Sequence, residues 1–459
     1  MGKQMTLKLG IVPVKRGPWF TSIENALISK EKAFASLEKV KGNIEMINLD
    51  PIIENGIAST AEEIPVIEKY LKDNNVDAVF MLHCDFGLEE IIARVGKAVG
   101  KPLLLWGARD DAPDSVTGAR IRDTQCGIFA SSKVLQRYGV PFTYIENCHA
   151  DDPMFIQGVE SFCRTAAVVK AFNSMRILEV GNRPRPFLSV MYNEEELLKR
   201  FGIEIVPVSM GSFFRQVTEM ASKPDERVLN IVSSLKERID TSLIDDEKLR
   251  KIAAMMIFIQ EQMDAENCNG AAVECWTSTT QLFGVLPCQV IGELTGMGYP
   301  VSCEADVAGA VTSVLLQAVD YNRQPSFFAD LTIRHPENDN CELLWHCGPF
   351  PYALKSEGSK AAFDEIGHGQ WELKDGDITI ARLDGVDGKY SMFIGEGKAV
   401  PGPKVQGTYA WMEVDDWSKW ERKLVEGPYI HHVSGIYGNY ADVLQEACKY
   451  IPGLKPDRV

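Results

Sequence analysis

Apolar positions along the first third of the chain fall into two alternating rhythms. Short continuous apolar runs at residues 7–14, 44–49, 78–82, 102–106 and 141–145 read as strands buried on both faces. Between them, residues 23–40, 61–71, 88–99 and 125–138 carry apolar side chains at helical spacing. Strands alternating with helices predict βαβ units, and therefore a parallel sheet with helices on its faces. Two of the predicted helices open on S/T-x-x-E capping boxes, Thr21-Ser-Ile-Glu24 and Ser59-Thr-Ala-Glu62. The expected first domain, residues 1–175, is doubly wound.

Gly181-Asn-Arg-Pro-Arg-Pro186 interrupts this rhythm. Residues 187–191 and 203–208 restart it, 233–264 are helical by periodicity, and strands are expected at 270–273 and 299–303. This predicts a second doubly wound α/β domain over residues 176–322. Beyond Arg323 the strands follow one another without helices. Ile378-Thr-Ile-Ala-Arg-Leu-Asp384 and Lys389-Tyr-Ser-Met-Phe-Ile-Gly-Glu396 flank Gly385-Val-Asp-Gly388, a hairpin connection. Residues 323–459 are expected to form a mostly antiparallel β domain closed by a helix at 440–450.

Composition narrows the function classes. The 459 residues are 45% hydrophobic and 24% charged, as in folded domains rather than disordered or coiled-coil chains. The 64 Asp plus Glu exceed the 48 Lys plus Arg, for a net charge of −16, and no basic cluster is present, which argues against nucleic acid or an anionic membrane surface as a partner. No stretch reaches the ~18 apolar residues of a membrane span. The opening residues lack the pattern of a secretory signal, so a cytoplasmic protein is expected. Eleven Cys with no CxxC pair agree with reduced thiols there, rather than a disulfide framework or structural zinc.

The chemistry concentrates where two predicted strands end on acids. Gly270-Ala-Ala-Val-Glu-Cys-Trp276 delivers Glu274, and Tyr299-Pro-Val-Ser-Cys-Glu-Ala-Asp306 delivers Glu304 and Asp306. In open α/β sheets the carboxyl ends of the strands border the ligand crevice, so neighbouring strands would gather these acids around one point. Carboxylates gathered in a buried crevice repel one another unless a cation joins them, which points to a divalent metal. The plainer accounts are a surface acid pair at a helix N-terminus for Glu304 and Asp306 and an ordinary strand-end acid for Glu274. Histidines at 83, 149, 335, 346, 431 and 432 could complete a ligand shell, although a lone histidine in a β domain is commonly structural. Consecutive residues of a strand face opposite sides, so only one of His431 and His432 is expected in a given site. Cys268, Cys275, Cys288, Cys303 and Cys347 lie near these segments and read as small buried hydrophobes.

Cys-Glu-Ala-Asp-Val-Ala-Gly-Ala310, the upstream Glu274 and Gly427-Pro-Tyr-Ile-His-His-Val433 together resemble the L-fucose/L-arabinose isomerase superfamily, as do Leu9-Gly-Ile-Val-Pro-Val-Lys-Arg16, Trp106-Gly-Ala, Gly118-Ala-Arg and the hairpin 378–397. The resemblance implies two α/β domains and a β domain, assembled as a homohexamer with sites between subunits. It implies aldose–ketose interconversion of a small sugar through a cis-enediol, assisted by Mn²⁺ or by Mg²⁺ or Co²⁺. Carried over by motif, Glu274 and either Glu304 or Asp306 are metal ligands that also act as acid and base, and His432 is the histidine ligand. Arabinose isomerases use the first acid of the Glu-x-Asp motif and fucose isomerases the second; both stand here, so the choice stays open. His335 loosely matches a further histidine of arabinose isomerases, with different spacing. Where fucose isomerases place a tryptophan, the chain reads Leu-His-Cys-Asp-Phe86, so the wall contributed by a neighbouring subunit is expected to differ. Arg16 aligns with a substrate-contacting arginine, and with Lys15 and Trp19 forms a cationic and aromatic loop. That loop is either a solvated turn or a recognition element for a hydroxyl or acidic group, which would make the substrate a sulfonated, phosphorylated or carboxylated sugar. His83, Trp276 and His431 are the further substrate-binding candidates. The competing readings are a non-catalytic sugar sensor and an epimerase or lyase on the same metal site.

Overall fold

A computed structural model describes residues 4–17, 22–173 and 175–459. The chain divides into two compact units, Met5–Lys170 and Ala171–Val459.

The first unit is a five-stranded parallel sheet of β1 (Leu7–Val14), β2 (Ile44–Ile47), β3 (Ala78–His83), β4 (Leu103–Gly107) and β5 (Thr143–Tyr144), ordered β2-β1-β3-β4-β5. Crossover helices connect the strands, as the alternating pattern predicts. The helix starts lie one residue from the expected boxes. Ser22 caps the helix Ile23–Leu37, and Glu63 accepts from the backbone N–H groups of Ser59 and Thr60; Thr21 lies outside the described residues.

The second unit opens with a four-stranded parallel sheet of β6 (Arg176–Val180), β7 (Glu204–Val208), β8 (Gly270–Val273) and β9 (Val301–Ser302), ordered β7-β6-β8-β9. Residues 187–191, expected as a strand, instead contain a 3-10 turn at Leu188–Val190, and the strand lies before the Gly-Pro break rather than after it. Pro184 and Pro186 supply no N–H to a ladder, which keeps this stretch out of the sheet. The 233–264 pattern is two helices, Glu226–Arg238 and Asp246–Ala265, separated where Asp245 caps the second by accepting from Lys248 N.

The remaining strands are β10 (Phe327–His335), β11 (Asn338–His346), β12 (Ala362–Phe363), β13 (Gly369–Glu372), β14 (Gly376–Val386), β15 (Lys389–Val400), β16 (Thr408–Glu413), β17 (His432–Tyr437) and β18 (Leu454–Arg458). Six of them close on themselves in antiparallel order, β10-β11-β16-β15-β14-β17 and back to β10. The barrel removes the free edges an open sheet would leave. Asp387 and Gly388, both with positive φ, form the two-residue turn between β14 and β15, the hairpin the sequence predicts. The helix Trp417–Glu426 and strand β18, which runs parallel to β15, add to the expected β domain.

The expected boundary near residue 322 marks a change of sheet within one compact unit. The helix Val307–Ala318 packs on β8 and β9 and also on β14 and β17, and one continuous apolar core includes residues of both sheets. Asp306 caps this helix through Gly309 N at 2.9 Å, and its other oxygen accepts from Arg382 on β14 and meets His432 on β17. A Cβ at Gly309 would collide with the Phe328 ring, so glycine is what lets the helix start come this close to the barrel.

Two predictions follow from this packing. Arg382→Met leaves Asp306 and Asp384 buried without their cation, and should lower unfolding free energy by about 3–5 kcal/mol in urea titration; a loss below about 1 kcal/mol would show the pair is not needed to hold the helix. Glu342 on β11 is buried and its Oε2 has no hydrogen-bond partner among the described residues; burial pushes its carboxyl up to about 7, a nearby Glu421 adds to the rise and Arg334 opposes it. The folded state therefore holds a proton that the unfolded state releases near pH 4.5, and stability falls as pH rises from there to about 7. Glu342→Gln should be more stable than the parent at pH 8 by about 1–3 kcal/mol, the gap closing by about pH 4.5; a pH-independent difference would refute this.

Candidate active site

The site is assembled where the parallel sheet of the second unit meets the barrel. Strand β9 is only two residues long, and beyond Cys303 the chain turns sharply, with Glu304 (φ 60°) and Ala305 (φ 53°) both left-handed. Two such residues in succession, neither a glycine, are costly, and such strain persists only where surrounding contacts hold it. Here Glu304 is held by the Trp276 Nε1–H, 2.8 Å from its Oε1, and by His432, whose Nε2 lies 2.9 Å from its Oε2.

His432 is fully buried at the start of β17 and is gripped on both sides. Its Nδ1 lies 2.8 Å from Asp306 Oδ2, and its Nε2 faces Glu304 and, at 3.4 Å, Asp330 Oδ1. Asp330 on β10 pairs in register with His432 on one side and Trp345 on the other, and His346 ends β11 with its Nε2 4.0 Å from Asp330 Oδ1. His346 Nδ1 accepts from the Cys347 N–H at 2.9 Å, which leaves Nε2 aimed at the acids. Nε2 of His346 and Oδ1 of Asp330 are buried without a hydrogen bond among the described residues.

These contacts set the electrostatics. Burial pulls Glu304 up, but the hydrogen bond and charge of His432, the charge of His346 and the Trp276 N–H outweigh it and hold the carboxyl below its ordinary value. Burial opposes ionisation of Asp306 too and is overcome by Arg382 and His432, so this acid stays ionised. His432 is raised despite burial by hydrogen bonds to Asp306 and Glu304, and His346 is raised to about 10 despite burial, chiefly by Asp330 and Cys347.

Ligand atoms of Glu304, His346 and His432 lie within 4.8 Å of one another, as do those of Asp330, His431 and His432. The first group has the composition of a divalent-cation site. Asp306 stands behind it: with one oxygen on the Gly309 N–H and the other on Arg382 and His432 Nδ1, it orients the imidazole. Glu274 sits in a cradle of its own, accepting from Ser278 N at 3.0 Å, Ser278 Oγ at 2.7 Å, Asn182 N at 3.1 Å and the Thr277 hydroxyl. Burial raises its carboxyl and these donors more than reverse that. It falls in neither ion-sized group.

His335 is not brought to the acids. It lies at the end of β10 with its ring edge-on to Trp411 at 4.9 Å and its Nδ1 accepting from Glu337 N, and the histidine that does face the acids is His346. The expectation that His431 and His432 face opposite ways is also revised. Strand β17 begins at His432, so strand alternation does not reach His431, whose ring stacks on Phe187 (16° between planes) and lies 4.6 Å from that of His432. Trp276 is 44% exposed, leaving its indole face open beside Glu304. In the first unit, Arg16 follows β1 and lies 4.0 Å over the Phe86 ring, while its N–H donates to Asp85. His83 ends β3, fully buried with Nδ1 on Phe86 O, and burial lowers it to about 4. Trp19 lies outside the described residues. Arg382 and Asp330 were not singled out from the sequence; a charged residue inside an apolar strand, as in Thr-Ile-Ala-Arg-Leu and Phe-Phe-Ala-Asp-Leu, was the available signal.

Residues 10–173 match the family described as fucose/sulfoquinovose isomerase, N-terminal domain, and residues 345–453 match L-fucose isomerase, C-terminal domain. The chain is 25% identical over 444 residues to a sulfoquinovose isomerase of Priestia aryabhattai, covering 95% of each chain. It is 24% identical to a sulfoquinovose isomerase of Alkalicoccus urumqiensis over 74% of this chain and 76% of the relative. A solved solute binding protein from Bacillus halodurans with bound myo-inositol aligns with 71% of this chain and 92% of its own at 13% identity, with a TM-score of 0.16. Two domain matches in their proper order, joined by relatives spanning nearly the whole length, establish that the chain belongs to the fucose isomerase-like superfamily and is an isomerase of the aldose–ketose type.

Proposed function

We propose that the protein is a metal-dependent aldose–ketose isomerase acting on an acidic, sulfonated sugar. The observation that carries the catalytic part is the convergence of Glu304, His346 and His432, with the buried Nε2 atoms of the two histidines turned toward Glu304 and Asp330. That donor set fits a divalent cation, which Glu304, His346 and His432 would hold with Asp330 alongside; the likeness to fucose isomerases, and not the donors, is what favours Mn²⁺, with Mg²⁺ or Co²⁺ as alternatives. When bound, such an ion supplies Lewis-acid polarisation of the substrate's oxygens.

The protein's own groups move the protons. Glu304 takes the C2 proton of the open-chain aldose; the electron pair left behind forms the C1–C2 double bond of a cis-enediol as the carbonyl oxygen is protonated. Loss of the C2 hydroxyl proton then forms the ketone, and Glu304 returns its proton to C1. Glu274 serves the hydroxyl proton, its carboxylate kept ionised to accept it by the Thr277 and Ser278 hydroxyls. Asp306 keeps His432 in the tautomer whose Nε2 faces the site.

The acidic substrate is supported by the names of relatives that act on sulfoquinovose, a sugar carrying a sulfonate. It is also supported by Arg183 and Arg185, on the loop whose Phe187 packs against His431 and His432. A guanidinium there suits a sulfonate, which accepts paired N–H donors as a carboxylate does. Assembly as a hexamer and a cytoplasmic location complete the reading; no helix among the described residues is long and apolar enough to cross a membrane.

Glu304→Gln should reduce turnover by at least about 10²–10⁴-fold with an unchanged unfolding transition. In D₂O the parent should place deuterium at C2 of the aldose formed from the ketose, as read by NMR; turnover without label uptake would indicate a shielded transfer and exclude the open enediol route. Exhaustive chelation should abolish activity, and Mn²⁺ should restore it. Against paired 6-sulfonated and neutral aldoses, Arg185→Ala should raise KM for the sulfonated sugar by about tenfold and leave the neutral one unchanged; equal effects on both would remove this arginine from substrate recognition.

A further inference from the structure

We propose that Cys288, Cys347 and His368 form a second metal site, one that takes a soft divalent cation of the zinc class. It is separate in ligands from the group of one carboxylate and two imidazoles around Glu304.

The three residues come from separate segments of the second unit. Cys288 opens the helix Cys288–Gly296, Cys347 follows the last residue of β11, and His368 directly precedes β13. Their ligand atoms lie within 4.8 Å of one another, and the two Sγ atoms are 3.3 Å apart. Zinc–sulfur bonds of about 2.3 Å in a tetrahedral shell place two sulfurs about 3.8 Å apart, so small movements would seat an ion.

A second observation points to a ligand independently of the sulfurs. His368 is already oriented as metal-binding histidines are. Its Nδ1 lies 2.6 Å from Asp364 Oδ2, while Asp364 Oδ1 accepts from His368 N at 2.9 Å and Ile366 N at 3.1 Å. The carboxylate fixes the ring and leaves Nε2 as the free coordinating atom. The loop carrying Cys347 is braced against that carrying His368: Gly348 (φ 147°) approaches Gly369 so closely that a Cβ would strike its backbone nitrogen. Cys288 is buried, whereas Cys347 and His368 are partly exposed, which gives an entry path and room for water as a fourth ligand.

Two thiolates and an imidazole favour zinc-class ions over Mg²⁺ or Mn²⁺, which prefer oxygen. Binding sends the Cys288 thiol proton to solvent, and two thiolates balance the charge of the ion without any change in oxidation state. Because the Cys347 N–H also holds His346 Nδ1, occupancy would steady the histidine that faces Glu304.

The test is titration of reduced, chelator-treated full-length protein with Co²⁺ in the presence of excess Mg²⁺. One equivalent should produce the near-ultraviolet thiolate-to-cobalt charge-transfer band, which oxygen and nitrogen ligands do not give, and Zn²⁺ should bleach it. Cys288→Ser and Cys347→Ser should lose the band, Asp364→Asn should weaken Co²⁺ binding at least about tenfold, and Cys268→Ser should change nothing. Glu304→Gln should keep the band, so the result stands apart from the isomerase reading. In the parent, Zn²⁺ should protect the partly exposed Cys347 thiol from alkylation, a measurement that does not depend on the variants folding. Absence of the band, a band surviving Cys347→Ser, or loss of the two thiols to a disulfide without metal capture would each overturn the proposal.

Discussion

The second unit depends on one buried carboxylate. Asp306 is fully enclosed and shared among three partners that belong to different parts of the fold: the Gly309 N–H at the start of its own helix, Arg382 of β14 and His432 of β17. Stripping water from a carboxylate is costly unless donors replace it. The helix terminus and the guanidinium do so, and in doing so they tie the parallel sheet's last crossover to the barrel wall. The third partner turns this structural joint into a functional one, because the acid on Nδ1 fixes which imidazole nitrogen faces the site. Replacing Gly309 by any larger residue would separate the partners, since Phe328 occupies the space a Cβ would need.

Charge balance follows from the same arrangement. Acids gathered at strand ends imply a cation, and part of that cation is built in: Arg382 lies between Asp306 and Asp384, with its Nε and Nη2 on Asp384 at 3.0 and 2.8 Å. What it leaves uncompensated is Glu304 and Asp330 at the mouth, and there the two imidazoles respond. Both are raised against the effect of burial, because each looks at carboxylates. The guanidinium serves the fold permanently, whereas the imidazoles can trade their protons for another positive charge.

Legibility followed sequence distance. Strand-to-helix alternation and the Asp387-Gly388 turn depend on neighbours along the chain and were readable, as was the placement of Glu274 and Glu304 just beyond the ends of β8 and β9. The stretch 187–191 was misread because an apolar run looks like a strand until the prolines before it are given their weight. His335 was preferred to His346 on a loose motif match, yet what separates them is the register of β10 against β11 and β17, which no local pattern encodes. Barrel closure through β15 and β16 is likewise a matter of long-range pairing. Cys288, Cys347 and His368 lie 59 and then 21 residues apart, so no spacing rule could group them.

The Glu-x-Asp motif shows how a short sequence can hold two opposite roles. In an extended strand, residues two apart line the same face, and both acids would point into one crevice and repel. The left-handed turn at Glu304 and Ala305 breaks that alternation. It sends Asp306 behind His432 and leaves Glu304 in front, so the ring is bracketed by carboxylates at 2.8 and 2.9 Å on its two nitrogens. The strain in two successive left-handed residues is balanced by what the bracket fixes: one acid is committed to Arg382 and the helix, and the other is free to meet a ligand. An acid pair that is ambiguous in sequence thereby becomes one residue behind the imidazole and one in front of it, set apart by backbone conformation.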